Sequence, residues 1–123
     1  MKNILYTIIL SFLFSFSVFA DWEAGVDALE KGDYETAYIE FITFAERGNV
    51  DAQYNLGLMY SSGEGVPEDN MSAYMWYNIA SSLGDEVAEY NKGGVAEEMT
   101  SSQIAEAEER SQQCLNSNYK DCD

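Results

Sequence analysis

Shifted by 36 residues, this chain aligns with itself. The stretch "AYIEFITFAERGNVDAQYN", starting at Ala37, falls on "AYMWYNIASSLGDEVAEYN", starting at Ala73. Ala37 meets Ala73, Tyr38 meets Tyr74, Phe41 meets Tyr77 and Gly48 meets Gly84. Further along, Ala52, Tyr54, Asn55 and Gly57 meet Ala88, Tyr90, Asn91 and Gly93. A period in the thirties, with small and aromatic residues at fixed offsets, is the signature of stacked helical hairpins. Each hairpin cannot bury its apolar face alone, so neighbours must cover one another.

The segments between repeat positions read as helices. Residues 51–61 place Ala52, Leu56, Met59 and Tyr60 on one face, and residues 70–83 do the same with Ala73, Trp76, Tyr77 and Ala80. Asp33 and Asp69 stand where N-caps belong, and Gly48 and Gly84 where helices end. "TSSQ" from Thr100 is a capping box opening a last helix with Ile104, Ala107, Ser111 and Cys114 along one stripe. The expected fold is all-α: a short α-solenoid of three stacked antiparallel hairpins, at about 22–48, 49–84 and 85–116. Three is near the minimum at which such a stack buries a continuous core.

The glycine-rich loop "SSGEGVPED" raises the possibility of a phosphate cradle. A phosphate loop follows a strand and carries GxxxxGK[ST] or GxGxxG. Here a helix precedes it, no lysine follows, and Glu64, Glu68 and Asp69 would repel phosphate. Gly63 and Gly65 supply positive φ, Val66 can plug into the helix pair, and Pro67 stops the first helix. The loop reads as a connector.

With these residues in view, "AQYNLGLMYSSGEGVPEDNMSAYMWYNIASSLG" resembles a Sel-one-like repeat, a relative of the tetratricopeptide repeat. The residues that carry the resemblance are Ala52, Leu56, Gly57, Tyr60, Gly63, Gly65, Val66, Asp69, Ala73, Trp76, Tyr77, Ala80 and Gly84, with Ser81 departing from the usual second alanine. The first hairpin has a shorter loop and looks more like a plain tetratricopeptide unit, and the third drifts after "VAEYNKGG". The resemblance implies a right-handed stack whose first helices line a concave groove, and an adaptor role in protein complexes.

The same analogy places the groove positions two before and one after the leucine–glycine pair. These are Tyr54 and Leu58, with Asp51, Ser61 and Ser62 continuing the face, Trp22 and Val26 as counterparts in the first hairpin, and Tyr90 in the third. An aromatic strip of Trp22, Tyr54 and Tyr90 would make an anchor surface. The alternative is that Trp22 packs the end of the stack and the tyrosines pad it. The signature positions Leu56, Gly57, Tyr60, Ala73, Trp76 and Tyr77 read as core.

Composition sets the compartment and narrows the partners. "MKNILYTIILSFLFSFSVFA" has one charge, Lys2, an apolar run, and Val18 and Ala20 at small-residue cleavage positions, and so reads as a secretory signal peptide over residues 1–20. An uncleaved anchor is the alternative, although the run from Ile4 to Phe19 is short for a span and holds Thr7, Ser11, Ser15 and Ser17. Cleavage after Ala20 would leave a repeat domain over residues 21–123, exported to the periplasm or secreted. In an exported chain the two cysteines, Cys114 and Cys122, read as a disulfide closing the tail at 114–123. The whole chain carries −16; losing the leader with Lys2 makes it −17. Such charge repels nucleic acid and anionic membranes and favours a partner with a basic face. The sequence contains no histidine, which removes the commonest general base and metal ligand, so no metal, cofactor or catalytic residue is expected.

The tail offers one enzymatic alternative. "SNYK" at Ser117–Lys120 matches the Ser-x-x-Lys element of penicillin-recognising enzymes, and some cysteine-rich relatives of the repeat are linked to β-lactam binding. That would make the chain a small hydrolase or β-lactam-binding protein. The companion Ser-Asp-Asn and Lys-Thr-Gly motifs are absent, and the four residues lie inside the expected disulfide loop. The expected function is therefore a scaffold for an unidentified protein or peptide.

Overall fold

The structure, a computed structural model, describes residues 22–123; the leader read at 1–20 lies outside the described residues. The described residues form six helices and no strand: 22–30 (α1), Tyr34–Ala45 (α2), Val50–Ser62 (α3), Asn70–Ser82 (α4), Glu86–Ala96 (α5) and Ser101–Asn116 (α6). The fold is the expected short all-α solenoid.

The starts of α2 to α6 are each capped by a side chain that accepts from otherwise orphaned N–H groups. Asp33 accepts from Thr36 N at 3.3 Å, and Asp69 from Met71 N and Ser72 N. Asn49 and Asp85, which the sequence reading did not single out, cap α3 and α5 in the same way. Thr100 and Gln103 form the full capping box that opens α6. Gly48 (φ 86°) and Gly84 (φ 102°) take the left-handed backbone just past α2 and α4.

The core is centred on α4. Every residue from Ala73 to Ala80 is buried except Asn78. One side of α4 gives Met75, Trp76 and Ile79 to a cluster with Phe41, Leu56, Met59 and Cys114. The other gives Ala73, Tyr77 and Ala80 to a cluster with Ala88. The loop between α3 and α4 is held by that core: Val66 packs against it, and a Cβ on Gly65 would strike the backbone of Tyr34.

The pairing repeats through the stack, with one change. α3 packs on both α2 and α4, and α4 packs on α5 and α6. α5 and α6, joined by the short connection 97–100, barely approach each other; each leans on α4 instead. The stripe of α6 expected to be apolar is the side that meets α4: Ala107, Ser111 and Cys114 are buried, and Ser111 Oγ lies 3.4 Å from the Met75 carbonyl oxygen. Cys114 near the end of α6 is joined to Cys122 in the tail by a disulfide, and Tyr119 folds back against Gly48 in the α2–α3 turn.

Candidate functional site

The sides of α3 and α5 enclose a cleft of about 730 Å³. Its apolar walls are Leu58 and Tyr77 on one side and Tyr90, Gly93, Gly94 and Val95 on the other. Ser61, Asn70 and Asn91 supply polar atoms, and Glu89, Glu97 and Glu98 supply charge. No lysine or arginine lines it. The size falls within the range of pockets that hold a drug-sized ligand or a few side chains.

The repeat register sets this geometry. Tyr54 and Leu58 lie one turn apart on α3, and Tyr90 and Gly94 occupy the same register on α5. Over Tyr54 lies α5: the Tyr54 ring packs on Tyr77 with centroids 6.0 Å apart, and Asn91 Nδ2 donates to its hydroxyl at 3.2 Å. No further helix covers Tyr90 among the described residues, and it is 82% exposed. Leu58 is 37% exposed. An apolar surface that a longer stack would cover is open here.

The predicted groove residues therefore part company. Leu58, Ser61 and Tyr90 meet in the cleft. Trp22 and Val26 pack against the core instead, and the Trp22 ring meets Phe41 and Phe44 at 5.4 and 5.3 Å. Asp51 is exposed in the first turn of α3, its carbonyl accepting from Asn55 Nδ2 at 2.8 Å. Ser62 is exposed and donates to the Leu58 carbonyl at 2.9 Å. A continuous strip of Trp22, Tyr54 and Tyr90 does not form, because two of the three rings are consumed by packing. Conversely, Gly93, Gly94, Glu97 and Glu98 line the cleft without having been named as groove residues. The rule that picked Tyr90 also points one position past the glycine, to Gly94. Helical spacing from Tyr90 gives Gly93 and Glu97.

The signature residues within the helices sit inside, whereas Gly63, Gly65, Asp69 and Gly84 at the turns are exposed. Ala52, Leu56, Gly57, Ala73, Trp76, Tyr77 and Ala80 are buried. Tyr60 is half-buried, shares a hydrogen bond of 3.1 Å with Tyr38, and has its phenol pushed well above the ordinary tyrosine range by burial and by that bond. Burial also raises the Tyr77 phenol. On the far side of α4, the Tyr74 hydroxyl donates to Glu108 at 2.9 Å, and burial together with that carboxylate pushes its pKa up to about 12. Lys92 is held at the cleft's edge by Glu89 at 2.8 Å and Asn78 at 3.2 Å. Its ammonium, with Ser81, keeps the Glu89 carboxyl below the usual range.

None of these groups forms a catalytic constellation among the described residues. No cluster of three acidic or sulfur ligands stands ready for a metal among them. Ser117 Oγ closes the tail turn: it donates to the Cys114 carbonyl and accepts from Lys120 N at 3.2 Å and Asp121 N at 2.9 Å. No described helix is long and apolar enough to cross a membrane.

Comparisons with known proteins fit this architecture. Residues 50–85 match the Sel1 repeat. The DAP3-binding cell death enhancer 1 of Rattus norvegicus is 39% identical over 51 residues, which is 42% of this chain and 10% of that protein. Its Mus musculus counterpart is 42% identical over 45 residues, 37% of this chain and 9% of that protein. The crystal structure of c5321, a protective antigen present in uropathogenic Escherichia coli strains and displaying an SLR fold, superposes with a TM-score of 0.72 at 29% identity. That superposition covers 81% of this chain and 23% of the other. The chain spans about a tenth of the curated relatives and less than a quarter of the solved one. With the α3–α4 unit carrying the repeat and the other helices stacked on either side of it, the chain is an SLR helical-repeat protein.

Proposed function

We propose that this chain is an exported scaffold that binds a protein or peptide in the cleft between α3 and α5, without catalysis. The observation that carries the reading is the open apolar surface of Leu58 and Tyr90, bordered by Glu89, Glu97 and Glu98. Exposed apolar surface rimmed by polar groups marks interaction sites. The engagement of Ser117 in its own turn supports a scaffold over a penicillin-recognising enzyme. The leader at 1–20, the disulfide and the acidic surface support export, with residues 21–123 as one repeat domain after cleavage.

The test compares the full-length protein with Leu58→Glu and Tyr90→Ala, using Glu106→Ala on the remote α6 as a control. A partner captured from an envelope extract is purified and titrated against all four. Truncating an interface aromatic costs about 2 kcal/mol or more, roughly thirtyfold in affinity. Both cleft variants should lose that much while the control keeps wild-type binding. Equal binding by all four proteins moves the site elsewhere. For export, mass spectrometry should find an N-terminus at Asp21; an intact Met1 in a membrane fraction refutes it.

A further inference from the structure

Two of the three helix pairs repeat one contact. A Cβ placed on Gly25 would lie 3.1 Å from Phe41 Cε1, so the Phe41 ring rests on that glycine. In the next pair, a Cβ on Gly57 would overlap the Tyr77 ring. Each first helix thus offers a bare glycine, and each second helix seats an aromatic ring on it. Gly93 is the third glycine of the series, and a Cβ there meets nothing within 4 Å. The next helix cannot fill the seat: α6, "SSQIAEAEERSQQCLN", has no aromatic residue, and it barely approaches α5. Gly94 beside it is equally open, and both glycines line the cleft.

We infer that this open seat takes an aromatic side chain from a partner segment that carries lysine or arginine on either side of the ring. The inference rests on the cleft being the binding site and specifies what enters it. Leu58, Tyr90 and Val95 supply apolar contact around the glycines, and aromatic side chains bury large area in such sites. Glu89, Glu97 and Glu98 ring the seat with no lining cation. Lys92, at the cleft's edge, pairs with Glu89 at 2.8 Å and also faces Asn78 and the Tyr74 ring, with its ammonium 5.8 Å from that ring's centroid, which leaves Glu97 and Glu98 to meet a guest's cations. Flanking cations on the guest therefore meet carboxylates, and acidic or neutral guests lack that attraction. A second copy of this chain is the wrong guest, because each copy carries −16.

The test uses short fluorescein-labelled peptides with a central Phe flanked by lysines, and counterparts with Ala for Phe or Glu for Lys. Fluorescence polarisation is read against the wild-type protein, Gly93→Leu and Leu58→Glu. Gly93→Leu fills the seat in an exposed helix and should fold as well as wild type, as checked by thermal melting. The Phe–Lys peptide should bind wild type at least about tenfold more tightly than either counterpart. Gly93→Leu should lose the preference for Phe over Ala. Equal binding of the Phe and Ala peptides overturns the seat, as does an undiminished Phe preference in Gly93→Leu. Binding that ignores the ring but vanishes in Leu58→Glu overturns the seat alone and leaves the cleft as the site. Binding unchanged in Leu58→Glu overturns both, as does binding by none of the peptides.

Discussion

At the scale of single residues, aligned glycines do opposite things. Gly57 is buried under the Tyr77 ring, whereas Gly93 has empty space beside it. Gly57→Leu should therefore cost on the order of 3 kcal/mol or more, because the ring or the helices must move. Gly93→Ala should instead stabilise by up to about 1 kcal/mol, through helix propensity alone. Urea denaturation of both variants checks this; equal shifts would mean that the α3–α4 contact is misplaced. Tyr54 is likewise a packing residue first, so Tyr54→Ala should lower stability as well as any binding. Tyrosines also govern alkaline behaviour. The unfolded chain releases the Tyr74 proton near 10, while the folded chain holds it to about 12. Unfolding is then favoured by deprotonation as pH rises through that window, so this stability is complete below 10 and declines above it. Thermal melts from pH 8 to 12 should show the loss begin near 10, and Tyr74→Phe should lessen it.

At the scale of elements, the last helix depends on what lies at its two ends. Thr100 and Gln103 satisfy its first N–H groups, and Thr100→Ala should cost about 1 kcal/mol. At the other end the disulfide closes a short loop, with a separation of 8 residues. The chain-entropy model assigns such a loop about 2.5 kcal/mol. Cys122→Ser should therefore lower the melting temperature, and a reductant should bring wild type to the same value. If reduction leaves the melt unchanged, the tail contributes nothing to the fold. The tail also ties the end of α6 to the α2–α3 turn, since Tyr119 rests on Gly48. Without it, α6 keeps its stripe of small residues and Leu115, a thin apolar contact, and the Tyr74–Glu108 hydrogen bond.

At the scale of the whole molecule, charge opposes compactness and the repeated stack overcomes it. The ion pairs among the described residues, Lys31–Asp27, Lys92–Glu89 and Arg110–Glu106, are all local to one helix or its turn. Such pairs are worth only tenths of a kcal/mol, so they do not hold the helices to one another. Raising salt from low to physiological strength should increase the melting temperature by screening the −16 charge, while weakening any basic guest. A melting temperature that falls with salt would show that the acidic surface is stabilising instead.

Much of this architecture was legible in the amino-acid order. Helix periodicity, the caps at Asp33, Asp69 and Thr100, and the 36-residue repeat are properties of neighbours along the chain, and they specify helices and a stack wherever that chain folds. Which repeated positions are covered was not legible, because Tyr54 and Tyr90 are the same residue in the same register. Only the presence of α5 over the first, and of no described element over the second, separates a packing ring from an exposed one. Gly57 and Gly93 differ for the same reason. Burial depends on the next element in space, and among the described residues α6 leans onto α4 and leaves this face of α5 bare.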